Sequence, residues 1–173
     1  MNSEHIKHRF GSYHVEVLHQ DSTSRIASLY SQHDRQSICR TLAVTTFRSP
    51  MHEELRVADA LIREGQSIGS TLHEAGFQLH RHVLTEACAV AGEQFHALSA
   101  ATVAIGTPIS VRLYRLEVLA LGDTPVPYAV IAEAHHPEHV SLGAGMNRCE
   151  DLDMSTWEVE ARHTLMALLA ATR

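Results

Sequence analysis

Two pairs of strand-like runs, each joined by a short polar turn, constrain this chain more than any other feature. Residues 24–31 (SRIASLYS) and 37–47 (SICRTLAVTTF) are rich in β-branched and alternating apolar positions, with the polar QHDR of residues 32–35 between them. That pattern predicts a hairpin with a four-residue loop. Residues 111–121 (VRLYRLEVLAL) and 126–134 (VPYAVIAEA) repeat the arrangement across a Gly-Asp-Thr-Pro turn at 122–125. Strands joined this tightly must pair antiparallel, because a parallel pair needs a crossover of a dozen or more residues.

Between and around the hairpins the apolar spacing changes. Residues 13–18 (YHVEVL) and 77–85 (FQLHRHVLT) read as further strands. Residues 53–64 carry Leu55, Val57, Ala58, Leu61 and Ile62 at helical spacing, stopped by Gly65. Residues 70–75 suit a brief helix, and the alanine-rich stretch 86–104 suggests a longer helical segment. Residues 155–171 predict a final helix, with Ser155 as N-cap and Glu158 completing a capping box. Hairpins with a few helices imply an α+β fold, an antiparallel sheet with helices packed on one face. No repeat, linker or low-complexity block divides the 173 residues, so a single domain over 1–173 is expected.

Composition narrows the function classes. Hydrophobic residues make up 45% of the chain, enough for a real core. The formal charge is −6 and there is no basic run, which argues against a nucleic-acid partner. Cys39, Cys88 and Cys149 form no CxxC pair, so neither a disulfide framework nor a closed zinc site is expected. The first ten residues lack an apolar signal-peptide core, and no apolar run approaches the length of a membrane span. The expectation is a cytoplasmic protein with no membrane partner. GxGxxG, Walker A, GxSxG and HExxH are all absent, so no nucleotide, serine-hydrolase or zincin chemistry is signalled.

The 14 histidines read mainly as a surface bias. In residues 133–139 (EAHHPEH), Glu133 and His135 would share one face of a strand and His136 the other, with the histidines exposed at the strand end. Cys39 beside Arg40 reads either as an activated thiol or, more simply, as core.

Charged residues inside strands are more informative. Arg25, Arg40 and Arg81 lie in apolar strand contexts, and Arg112 and Arg115, three apart, would point to opposite faces. Glu133 is embedded in YAVIAEA. A buried guanidinium or carboxylate needs a partner of opposite charge. Several arginines with one embedded glutamate suggest a pocket for a small carboxylate with one acid/base group.

Three blocks of the sequence resemble the chorismate lyase family. The first is residues 24–44, SRIASLYSQHDRQSICRTLAV, in which Arg25 and Arg40 fall on the family's two arginine positions. The second is residues 67–83, SIGSTLHEAGFQLHRHV, matching at Ile68, Gly69, Leu72, Leu79 and Arg81. The third is residues 114–140, with Glu133 and Pro137 in register with the family's catalytic glutamate and the proline after it. The resemblance implies a chorismate lyase-like fold and cleavage of chorismate to pyruvate and a hydroxybenzoate. It implies that Arg25 holds the ring carboxylate and that Glu133 faces the ether-bearing ring oxygen. Ile68 and Gly69 would wall the pocket, and Arg81 and Arg40 would bind or support the second carboxylate. No metal and no organic cofactor is implied; the partner is a small anionic aromatic or pre-aromatic molecule. Against the family pattern the chain has a shorter N-terminal part, extra residues over roughly 86–106, and a helix beyond the usual end. Two other classes share the same features: a non-catalytic ligand-sensing domain of this fold, and an acyl- or thioester-handling domain built around the helix at 53–64.

Overall fold

A computed structural model describes residues 2–48, 53–119, 124–143, 146 and 156–170. Six strands form one sheet: β1 (His14–Gln20), β2 (Ser24–His33), β3 (Gln36–Phe47), β4 (Gln78–Val90), β5 (Pro108–Leu119) and β6 (Val126–His135). The spatial order is β1-β2-β3-β6-β5-β4, and every neighbouring pair is antiparallel. The second strands of the two hairpins, β3 and β6, therefore meet at the centre. Glu133 on β6 lies opposite Ala43 on one side and Arg112 on the other.

The centre of the sheet is buried on both faces, which explains the nearly unbroken apolar runs of β3 and β6. One face presents Ala43, Phe47, Tyr114, Leu116 and Ile131. On it pack α1 (Asn2–Phe10), α2 (Arg56–Arg63) and α3 (Ile68–Glu74), with a single 3-10 turn at Glu53–Leu55 leading into α2. This is the α+β architecture, antiparallel sheet with helices on one face, that the sequence implied. The face presenting Leu42, Val44, Val130 and Ala132 receives α4 (Glu93–Leu98) and α5 (Thr156–Leu169) as an additional layer. No helix among the described residues is long and apolar enough to cross a membrane.

Three local expectations are corrected. The β2–β3 connection is a two-residue turn, because His33 and Gln36 still pair and Asp34 and Arg35 take φ of 48° and 67°. Two successive left-handed residues match the right-handed twist of the hairpin. The alanine-rich stretch from residue 86 is not one helix. β4 runs on to Val90, paired with β5 along its whole length, and only Glu93–Leu98 is helical. Ala87 and Ala89 point into the core, where their small side chains and the available ladder partner override alanine's helix propensity. Third, His135 and His136 are buried rather than exposed, on opposite faces as the alternation requires. The Ser155 cap and positions 122 and 123 of the 122–125 turn fall outside the described residues.

Candidate functional site

A cavity of about 70 Å³ lies between the sheet, α3 and the start of α1. Arg25, Arg81, Ile68, Gly69 and Glu133 all line it. Apolar side chains make most of the wall: Val15, Ala27, Leu29, Ala43, Leu79, Leu116 and Ile131. A mostly apolar cavity with a few convergent polar groups suits a small organic ligand.

Arg25 is 2% exposed. Its position follows from the strand: Arg25 pairs with Thr45, which also lines the cavity, so both project to the helix-covered face. Helix α2 ends at Gly65, whose φ of 104° turns the chain away. Arg25 reaches carbonyls at that point: its Nη1 donates to Ile62 O (3.2 Å), which also accepts from Gly65 N, and to Gln66 O (2.7 Å), and its Nη2 donates to Gly65 O (3.4 Å). A cation at a helix C-terminus is favoured by the aligned peptide dipoles. The Nε–H of Arg25 is buried and has no partner among the described residues. Burial pulls the Arg25 pKa below its usual value, yet a guanidinium keeps its proton at neutral pH. The result is a fixed positive charge in an apolar wall.

Glu133 is 5% exposed. Its Oε1 accepts from Tyr114 Oη (3.1 Å) and Asn2 Nδ2 (3.2 Å). Burial raises the Tyr114 pKa well above the ordinary phenol value, and Glu133 adds to that, so Tyr114 stays a donor. Asn2 also donates to Thr41 Oγ1 (3.2 Å) and accepts from His139 Nε2. Helix α1 is thereby tied at its first residue to the central carboxylate. Oε2 of Glu133 lies 3.7 Å from His135 Nε2, too far for a hydrogen bond.

Arg81 stands at the exposed rim, with its guanidinium 5.3 Å from the centre of the Tyr114 ring. Ile68 and Gly69 open α3 and form the wall next to Arg25. Tyr13 completes the ring of polar groups. Burial raises its pKa, while a hydrogen bond to Ser67 and the charges of Arg25 and Arg81 oppose the rise.

Arg40 is placed elsewhere. Leu29 pairs with Thr41 and Tyr30 with Cys39, so Arg40 is the extra residue of a β-bulge. It donates to Ser31 Oγ (2.9 Å) and Glu138 Oε2 (2.7 Å), and its guanidinium lies 3.8 Å from the centre of the Phe10 ring. Arg40 thus clasps α1 to the sheet and does not line the cavity. Arg112, on the cavity face, pairs with Glu86 at 2.6 Å. Cys39 is fully buried, and burial pushes its thiol up to about 11, which fits core rather than a reactive thiol.

Sequence reasoning passed over Tyr13, Asn2 and Tyr114. Tyr114 was within reach of it: two residues from Arg112 and one register step from Glu133, it had to share their face. Asn2 carries no such signal, because its contact with Glu133 spans 131 positions. The arrangement can hold an anion at Arg25 and present a carboxylate to a ligand atom across an apolar gap. Among the described residues no group of histidine, cysteine and carboxylate side chains could hold a metal ion. Comparison of the chain with protein-family models and with curated proteins gives no match.

Proposed function

We propose that this protein is a chorismate lyase-like enzyme that cleaves the enolpyruvyl ether of chorismate to pyruvate and a hydroxybenzoate. One observation carries the reading: a single apolar cavity holds both a buried arginine with a free Nε–H and a buried, hydrogen-bonded glutamate. The ring carboxylate of the substrate belongs at Arg25, where a charge-assisted bond in an apolar setting is strong. The ring itself fills the space between Leu29, Leu79, Leu116 and Ile131.

The chemistry asks little more of the protein. The carbon–oxygen bond to the ring breaks and its electron pair leaves on the enolpyruvyl oxygen. The ring loses the proton from the adjacent hydroxyl-bearing carbon, and those C–H electrons complete the aromatic sextet. The released enolate takes a proton at its methylene carbon and becomes pyruvate, so one proton lost by the ring balances one gained. Glu133 is the group assigned to this proton, held in orientation by Tyr114 and Asn2. The remaining contribution is to hold the dianion in the reactive conformer. The reaction itself requires no metal or organic cofactor. The reading includes a cytoplasmic setting, with a small anionic molecule rather than a nucleic acid as partner.

The test is to incubate the purified protein with chorismate and follow pyruvate release. Glu133→Gln is expected to lower the rate about 100-fold or more, since a positioned acid/base group contributes roughly 10²–10⁴-fold. Its affinity for 4-hydroxybenzoate is expected to change much less. A wild-type rate in Glu133→Gln overturns the proton assignment.

A second reading, a ligand-sensing domain without catalysis, is favoured by one feature. Both Nη groups of Arg25 are already committed to carbonyls, as a purely structural arginine would be. Wild-type protein that binds 4-hydroxybenzoate but releases no pyruvate from chorismate selects this reading.

A further inference from the structure

The two edges of the sheet differ. β1 is seven residues long, and Gln20 at its end donates to the Arg63 carbonyl, so the end of α2 lies against it. β4 runs thirteen residues along the other edge, and no strand lies beyond it among the described residues. An open edge of that length presents a row of unpaired N–H and C=O groups, which monomeric proteins usually blunt with lysine, proline or a short strand. β4 (QLHRHVLTEACAV) has neither lysine nor proline, and His80, Arg81, His82 and Val83 are exposed in succession. Val83 is 48% exposed and Val90 53%.

A bulge decides which residues of β4 share a face. Val83 pairs with Tyr114 and Thr85 with Leu113, so Leu84 is the extra residue and the alternation reverses across it. Before the bulge Leu79, Arg81 and Val83 stand on the cavity face. After it Glu86, Cys88 and Val90 do, while Ala87 and Ala89 enter the opposite core. The two halves of the strand therefore complement each other. When a second β4 is laid antiparallel with Arg81 opposite Glu86, Leu79 meets Cys88, the half-buried Phe77 meets Val90, and Val83 lies beside the two-fold axis. Each match occurs twice. Opposite charges and apolar pairs directly across an antiparallel ladder are stabilising, and like charges are not. Sliding the register by two residues sets Glu86 against Val83 and leaves both charges unmatched; pairing the first half with itself sets Arg81 against Arg81. Glu86 meets Arg112 through Oε1, and a carboxylate has a second oxygen to offer Arg81 of the other copy.

We propose that β4 is a homodimer interface, at which two copies of this chain pair edge to edge, antiparallel, about a two-fold axis beside Val83. The two sheets become one, and the isologous contact closes on itself, so both β4 edges are covered at once. Because Arg81 also lines the cavity, its pairing with Glu86 of the second copy fixes one rim residue of each site. The interface does not depend on the chain being an enzyme.

Sedimentation equilibrium tests this. At about 50 µM, well above a micromolar dissociation constant, the wild type is expected to show twice the chain mass. Val83→Lys brings two lysines to the axis and is expected to weaken association about tenfold or more, with an unchanged circular dichroism spectrum. Charge reversal tests the register. Arg81→Glu alone and Glu86→Arg alone each set like charges opposite one another twice, and each is expected to sediment as a monomer. Mixed, the two variants match at both positions and are expected to form a heterodimer, which also shows that both fold. Should Glu86→Arg fail to fold beside Arg112, Val83→Lys and Arg81→Glu carry the test. A monomeric wild type overturns the proposal. So does a Val83→Lys or Arg81→Glu protein that dimerises as the wild type does, or a pair of folded reversed variants that stay monomeric when mixed.

Discussion

Arg25 does two things at once, and a single conservative change separates them. Its fork bonds three carbonyls around the end of α2, and its Nε–H is buried without a partner among the described residues. A lysine keeps the charge but cannot span the three acceptors. Arg25→Lys is expected to cost about 1–3 kcal/mol of stability in urea denaturation, the penalty for leaving buried acceptors unmatched. It is also expected to weaken 4-hydroxybenzoate binding. Unchanged stability would mean that α2 does not depend on this cap. Tyr114 and Glu133 form a comparable pair across β5 and β6. Tyr114→Phe removes one donor to a buried carboxylate and is expected to destabilise by about 1.5–3 kcal/mol, the range for hydrogen bonds to charged groups.

Elements meet at points where one atom decides the fit. Gly92 precedes α4, and a Cβ there would overlap the Leu169 carbonyl at the end of α5. The glycine's backbone is ordinary; the constraint is space. Gly92→Ala is expected to destabilise by about 1–3 kcal/mol, as overpacking does, and to raise amide exchange in α5 before the rest. Uniform exchange across the molecule would contradict that order. The β2–β3 turn offers the opposite change. Asp34 and Arg35 both sit at positive φ, which suits Asn-Gly better. The double variant Asp34→Asn with Arg35→Gly is expected to raise the melting temperature without touching the cavity at the other end of the hairpin. Phe10, under the Arg40 guanidinium, holds α1 by a cation–π contact together with the buried Ile6. Since α1 also carries Asn2, its docking and the geometry of Glu133 are one structural event.

At the scale of the whole molecule, three histidines set the acid limit of stability. Burial lowers His135 to about 3 and His136 and His139 to about 4. In the unfolded chain they would take protons near pH 6.5, so acidification favours unfolding. Their contribution is complete above about pH 6.5 and is lost as pH falls toward the folded values. For His135 alone the loss by pH 5 is about 2 kcal/mol. At the alkaline end, burial raises Cys39 to about 11 and also raises Tyr13, Tyr114 and Tyr128. Those groups stabilise the fold below their unfolded pKa values and cease to do so as pH rises past them. Denaturation curves are expected to show a plateau between about pH 6.5 and 8.5 with losses on both sides. A protein as stable at pH 5 as at pH 7 would place the three histidines in contact with solvent.

Local periodicity was enough to indicate the four strands of the two hairpins and the short helices expected over 53–64 and 70–75, the second of which begins two residues earlier, at Ile68. Those features depend on neighbours within a few positions: alternation sets the face of a strand residue, and turn length sets its antiparallel partner. That Arg25, Arg81 and Glu133 could line one cavity was an expectation carried by the family resemblance, because alternation relates faces only within a strand or across a tight turn. Tertiary structure alone decided the rest. Only pairing with β5 made residues 86–90 a strand, against alanine's preference for helix. Only the β-bulge at Arg40 turned that side chain toward Phe10 and Glu138 and away from the cavity. Only the docking of α1 set Phe10 and Asn2 against His139 and brought Asn2 to Glu133 across 131 positions, and only the segment after α4 brought Thr102 to the buried His136. A contact that distant leaves no period in the sequence, because what fixes it is the space between packed layers rather than the residues on either side.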